Sequence, residues 1–287
     1  MKYSKFLPAN YRGEAIALIA GKGRYPALIV EQIKSHGIPL KLIAIKDETD
    51  ASLISAIPEG DQCLISLGQL SQLLKSLKRL NCNYVLMAGQ VRPTRLFKDL
   101  FPDLKMLSIL RKIKQLNAES VLGALITEIE SIGCSVLDAR SFMDEHLASE
   151  GKMVGIAQKV PTETIDYGIK IAKEIARMNI GQGIVIKGQS VLAVEALEGT
   201  NKMLDRTGSF NLDELIFVKT IKQSQDYRFD VPVFGEDTLE KLRENKIQSA
   251  VLESNSVILL DKEKLLEKAK AYKIQLYGYT APESQSA

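Results

Sequence analysis

The stretch QSQDYRFDVPVFG, residues 223–235, sets Asp226 and Asp230 four apart with Arg228 midway between them. Two carboxylates and a guanidinium in that pattern either are held together for chemistry or form the charged outer face of a strand. In an extended segment side chains alternate, so Asp226, Arg228 and Asp230 share one face and Tyr227, Phe229 and Val231 the other. Pro232 then closes the strand, because it lacks a ladder donor and biases Val231 toward extended geometry. On a straight strand the two carboxylates stand roughly 13 Å apart. One ion cannot span that, so the segment bends or the acids divide the work. The same pattern also describes the solvated face of an ordinary half-buried strand, where ion pairs contribute little.

Three other loops carry polar groups at places where folds bind ligands. AGKGRYP (20–26) follows an apolar run and opens a helix, as a dinucleotide fold places its phosphate loop, but Pro26 stands where the third glycine of GxGxxG belongs. Gly21 and Gly23 let a phosphate or sugar approach backbone N–H groups at a helix start. AGQVRPTR (88–95) follows another strand of the same type, which puts Gln90 and Arg92 on the same crevice. VEALEGTNKMLDR (194–206) offers Glu195 and Glu198, with Thr200 as the expected N-cap of a helix whose first N–H groups suit an anion. A nicotinamide-dependent oxidoreductase is a competing reading that rests on the glycine loop alone.

The elements that must position these residues form an α/β pattern. Apolar runs at 14–20, 40–45, 63–67, 84–89 and 134–139 alternate with amphipathic stretches, which predicts a parallel, Rossmann-like sheet. The run DLKMLSILRKIKQLNAESVLGALITEIESIG (103–133) reads as strongly helical. Residues 146–160 are polar and irregular and are expected to link an N-terminal domain, 1–145, to a second α/β domain with a mixed sheet, 161–287. There GIVIKGQSVLAV reads as two strands around a turn at Gly188, and SAVLESNSVILLD as another hairpin-like pair.

Composition removes several alternatives. The 287 residues are 45% hydrophobic and 25% charged, an ordinary globular balance with room for two cores. A net charge of +3, sparse aromatics and no Trp argue against nucleic acid. Cys63, Cys82 and Cys134 lie far apart in apolar runs without metal spacing, as buried free thiols do in a reducing compartment. His36 and His146 lack the company of a triad or a zinc site. The run AIALIA near the N-terminus is too short for a signal or a membrane span, so a cytoplasmic protein is expected.

Taken in order, LIAGKGRYP, AGQVRP, GQGIVIKGQSVLAVEALEGTNKMLDR and FVKTIKQSQDYRFDVPVFG resemble the UDP-2,3-diacylglucosamine pyrophosphatase family of the LpxI type, over nearly the whole chain. That resemblance implies Mg²⁺-dependent hydrolysis of UDP-2,3-diacylglucosamine to UMP and 2,3-diacylglucosamine 1-phosphate in lipid A biosynthesis, by two domains that hold the substrate between them. It puts Asp226, Asp230 and Arg228 in the catalytic role, with the two aspartates as metal ligands. It puts Gly21, Gly23, Gln90, Arg92, Glu195, Glu198, Gly199, Thr200, Lys219 and Gln225 on the substrate. The chain departs from the family pattern at Asn117, Asn179 and Asn201, which stand where acids are expected, with Glu119 nearby. A member that binds the nucleotide-sugar lipid without cleaving it is therefore the main alternative. Peripheral contact with the inner membrane surface, through the basic amphipathic run 101–116, and a homodimer are further partners that this reading allows.

Overall fold

Strands with no polar face must be covered on both sides, and the runs at Ile16–Ala20 and Tyr84–Ala88 are such strands. The computed structural model describes residues 3–91, 102–114, 117–155, 161–222 and 225–280. Contacts divide the chain into two compact units, the first made of residues up to Met143 with Tyr227–Asp230, the second of Asp144–Asp226 with the residues from Val231 on.

In the first unit, β1 (Ile16–Ala20) leads to helix α1 (Arg24–Ser35), β2 (Leu40–Ile45), short α2 (Ala51–Ser55), β3 (Gln62–Ile65), α3 (Leu70–Leu80) and β4 (Tyr84–Ala88). Helices α4 (Leu104–Lys112) and α5 (Ala118–Glu130) follow, then β5 (Ser135–Val136). Among the described residues the strands pair in the order β3-β2-β1-β4-β5, all parallel. Every residue of β1 and β4 is buried. Leu70, Leu73, Leu74, Leu77 and Leu80 recur at helical spacing on α3 and fill one side of the sheet with Ile126, Ile129 and Val136.

The long helical run is two helices, each with its own cap. Asp103 accepts the Met106 N–H (2.8 Å) at the start of α4, and Asn117 accepts the Ser120 N–H (2.8 Å) at the start of α5. Asn117 thus fills a place where an aspartate would do the same work. Asn179 follows helix α6 (Thr162–Arg177) at φ 57, a left-handed conformation that asparagine tolerates well.

The second unit opens with β6 (Gly151–Val154), inside the stretch expected to be a linker. After α6 come β7 (Gly183–Lys187), β8 (Ser190–Val194), α7 (Thr200–Gly208), β9 (Leu215–Lys219), β10 (Val233–Phe234), α8 (Glu236–Glu244), β11 (Ile247–Glu253), β12 (Ile258–Leu259), α9 (Lys262–Ala271) and β13 (Gln275–Tyr279). The larger sheet runs β6-β13-β11-β9-β7-β8, with β9, β11 and β13 parallel, and β6, β7 and β8 antiparallel to their neighbours. The turn joining β7 to β8 has Gly188 at φ 52, as expected. The second expected hairpin is not one. β11 pairs with β9 and β13, whereas β12 pairs in parallel with β10.

Candidate functional site

The glycine loop lies where the strand order reverses, between β1 and β4. Its two glycines answer different demands. Lys22 and Gln90 exchange backbone hydrogen bonds (2.8 and 3.0 Å), so the two loops are bridged backbone to backbone. A Cβ on Gly21 would stand 2.5 Å from the Gln90 carbonyl oxygen. Gly21 therefore admits the close approach of another stretch of chain. Gly23, at φ 102 and with open space around it, starts α1, and its N–H donates to Asp50 Oδ2 (3.1 Å). The N–H at the start of that helix is thus already engaged by a carboxylate of the same unit. The Gln90 side chain is exposed. Arg92 lies outside the described residues.

The acid-bearing stretch is not a strand. Tyr227–Phe229 forms a turn, and extended pairing begins only at Val233, beyond Pro232. The turn keeps part of the alternation: Phe229 packs against the core with Ile126 and Ile129, while Arg228 reaches Glu130 (3.2 Å) at the surface. Asp226, Arg228 and Asp230 are all partly exposed. A turn shortens the path between the two carboxylates relative to an extended chain. The Ala139 N–H donates to the Tyr227 carbonyl (2.7 Å), and the Arg140 guanidinium lies over the Tyr227 ring, 3.3 Å from its centre.

In the second unit a separate polar cluster forms where β8 ends and α7 begins. Thr200 is the first helical residue, and the N-cap position belongs to Gly199, at φ 81. Instead of capping, Thr200 Oγ1 donates to Glu195 Oε1 (2.7 Å) and accepts from Lys219 Nζ (3.1 Å). Glu195 fits because two glycines make room: a Cβ on Gly181 would stand 1.9 Å from its carbonyl oxygen, and one on Gly183 would stand 2.4 Å from its Oε2. That Oε2 atom is buried and has no hydrogen-bond donor, and Lys219 Nζ is 3.8 Å away. Glu198 is differently employed. It forms a surface pair with Arg206 (2.9 Å), and its pKa is held low by its own backbone N–H and then by Arg206.

The segment between Lys219 and Asp226 is tied down at three backbone points. Thr220 N–H donates to the Gln182 carbonyl (2.9 Å), Ile221 N–H to Glu253 Oε2 (3.0 Å) and Lys222 N–H to Gln225 Oε1 (3.1 Å). Gln225 is itself held by the Gln182 amide (3.0 Å). Glu253, 5% exposed, also takes the Thr220 hydroxyl (2.6 Å), the Lys173 ammonium (2.7 Å) and the Tyr279 hydroxyl (3.3 Å). Burial, then the Glu253 charge, pushes the Tyr279 phenol well above its ordinary pKa, so it stays a donor. Sequence reading missed Asp138, Arg140, Lys173, Gln182 and Glu253. No local motif marks them: Arg140, Lys173, Gln182 and Glu253 act on chain far away in sequence, and Asp138 acts through Arg140.

Among the described residues no three His, Cys, Asp or Glu side chains gather as a metal cage. Mg²⁺ keeps several waters and is usually bound by one or two carboxylates with phosphate oxygens of the substrate. The partly exposed acids of the 226–230 turn are a donor set of that kind.

Residues 15–146 match the LpxI N-terminal domain family and residues 149–277 the LpxI C-terminal domain family. The chain is also 28% identical, over 270 residues, to the UDP-2,3-diacylglucosamine pyrophosphatase LpxI of Caulobacter vibrioides, an alignment that covers 88% of this chain and 93% of that protein.

Proposed function

The chain belongs to the LpxI family, and from that premise we propose that it cleaves the pyrophosphate of UDP-2,3-diacylglucosamine, releasing UMP and 2,3-diacylglucosamine 1-phosphate for lipid A biosynthesis. The observation that carries the reading is the turn at 227–229. It packs a partly exposed Phe229 against the core and leaves Asp226, Arg228 and Asp230 partly exposed in the motif that matches the family.

Asp226 and Asp230 would hold Mg²⁺, which when bound neutralises charge on the phosphoryl group and lowers the pKa of a water. Arg228 gives up little by turning from Glu130 to a phosphate oxygen, because both partners of that pair are well exposed. Lys219 and Thr200 supply a cation and a hydroxyl beside the start of α7, and Glu195 Oε2 is an acceptor waiting for a donor. These groups would bind the polar head of the substrate, with Gln225 fixing the chain that leads to Asp226.

The test is direct. Purified protein incubated with UDP-2,3-diacylglucosamine and Mg²⁺ should release UMP and the sugar 1-phosphate in equal amounts, and EDTA should stop both. Substrate binding without UMP would select a non-hydrolysing binder instead.

A further inference from the structure

Three side chains of the first unit that the proposed chemistry does not use converge on one short loop. The Tyr25 hydroxyl, on the helix that opens at the glycine loop, donates to the Ala139 carbonyl. The N–H of the same Ala139 donates to the Tyr227 carbonyl (2.7 Å). Arg140 is forked onto Asp138 through Nε (3.0 Å) and NH2 (2.6 Å), and its guanidinium lies over both the Phe6 ring (4.3 Å) and the Tyr227 ring (3.3 Å). The Asp138 and Arg140 side chains are 22% and 15% exposed, so the fork is mostly withdrawn from water.

We propose that Arg140 is a positioning residue for the acid-bearing turn: fixed by Asp138, it clamps Tyr227 and thereby sets where Arg228 and Asp230 stand. The inference rests on the reading that this turn carries the hydrolysis. A flat guanidinium held by a carboxylate fork offers a rigid face for an aromatic ring, which a lysine cannot reproduce. One backbone hydrogen bond from Ala139 fixes the position of Tyr227 but leaves rotation about that bond. The stacked ring removes that freedom, and Phe229, packed against the core, pins the far end of the turn. Two residues that bracket Arg228 are thus anchored, and the polar residues are carried on a fixed frame.

The experiment compares Arg140→Ala, Arg140→Lys and Asp230→Ala in the full chain, by steady-state UMP release and by amide hydrogen exchange. Misplacement by about an ångström costs about a hundredfold in rate, so Arg140→Ala should lose kcat on that scale with KM changed less than about twofold. Millimolar guanidinium should restore part of the loss in Arg140→Ala and none in Arg140→Lys. Exchange at residues 227–230 should accelerate in both Arg140 variants while β1 and β4 stay protected. Asp230→Ala should lose turnover with wild-type exchange in the turn. Wild-type kcat in Arg140→Ala overturns the proposal, and so does unchanged exchange at 227–230 or a loss of protection in the core strands as well. Full turnover in Asp230→Ala refutes the reading of the acids instead, and the exchange data then still decide whether Arg140 holds the turn.

Discussion

Gly21 and Gly23 are two residues apart and fail differently when replaced. An alanine at 21 drives its methyl into the Gln90 carbonyl, which belongs to backbone and cannot swing aside. An alanine at 23 meets nothing, yet must adopt φ near 102 with an extended ψ, a region essentially reserved for glycine. Each change should cost about 1–3 kcal/mol in urea unfolding. Amide exchange separates them: Gly21→Ala should expose the Gln90 N–H by breaking its bond to Lys22, and Gly23→Ala should leave it protected. The glycine spacing alone pointed to a tight turn, which is there. It could not reveal that Gln90 backbone fills the space at Gly21, because that partner is 69 positions away in sequence and marked by no motif. The same holds for Glu195, whose place depends on Gly181 and Gly183.

Periodicity made the parallel sheet of the first unit readable, since β1, β2 and β4 are continuous apolar runs and α3 carries its leucines on one face. It failed where pairing is decided by distant chain. The run around 249–261 holds two apolar segments close together, as a hairpin does, but each finds a parallel partner from elsewhere. At 226–230 the alternation was real for Phe229 and Arg228, yet a turn satisfies it as well as a strand. The sheet elements also settle the state of the thiols. Cys82 and Cys134 flank the start of β4 and β5 and are buried, with Cys134 Sγ 3.2 Å from the Cys82 carbonyl. Burial pushes Cys82 from its ordinary 9.0 to about 11 and raises Cys134 as well. Between pH 9 and 11 the folded state therefore retains a proton that the unfolded state has lost, and stability falls as pH rises through that window. A thiol-disulfide dye at pH 8 should label these two cysteines only at the rate of unfolding. Rapid labelling of native protein would contradict their burial.

At the scale of the molecule, the proposed substrate is a two-chain lipid, and no helix among the described residues is long and apolar enough to cross a membrane. Helix α4 buries Met106 and Ile109 and leaves Leu104 86% exposed beside exposed Arg111, Lys112 and Lys114. A helix of this kind can rest on an anionic surface through both its charge and its apolar edge. Weak flotation with anionic liposomes at low salt is expected. Lys112→Glu with Lys114→Glu should weaken it by about thirtyfold or more, since each basic residue near such a surface is worth about 1 kcal/mol. Flotation of the double variant equal to wild type would remove α4 from any membrane contact. The central claim is narrower and lies in two carboxylates. Turnover of UDP-2,3-diacylglucosamine to UMP should be measured side by side for the wild-type protein, Asp226→Ala and Asp230→Ala, in saturating Mg²⁺ and with thermal unfolding recorded for each. The account predicts that both variants unfold at close to the wild-type temperature and lose about a hundredfold or more in kcat. Wild-type turnover in both variants would contradict it.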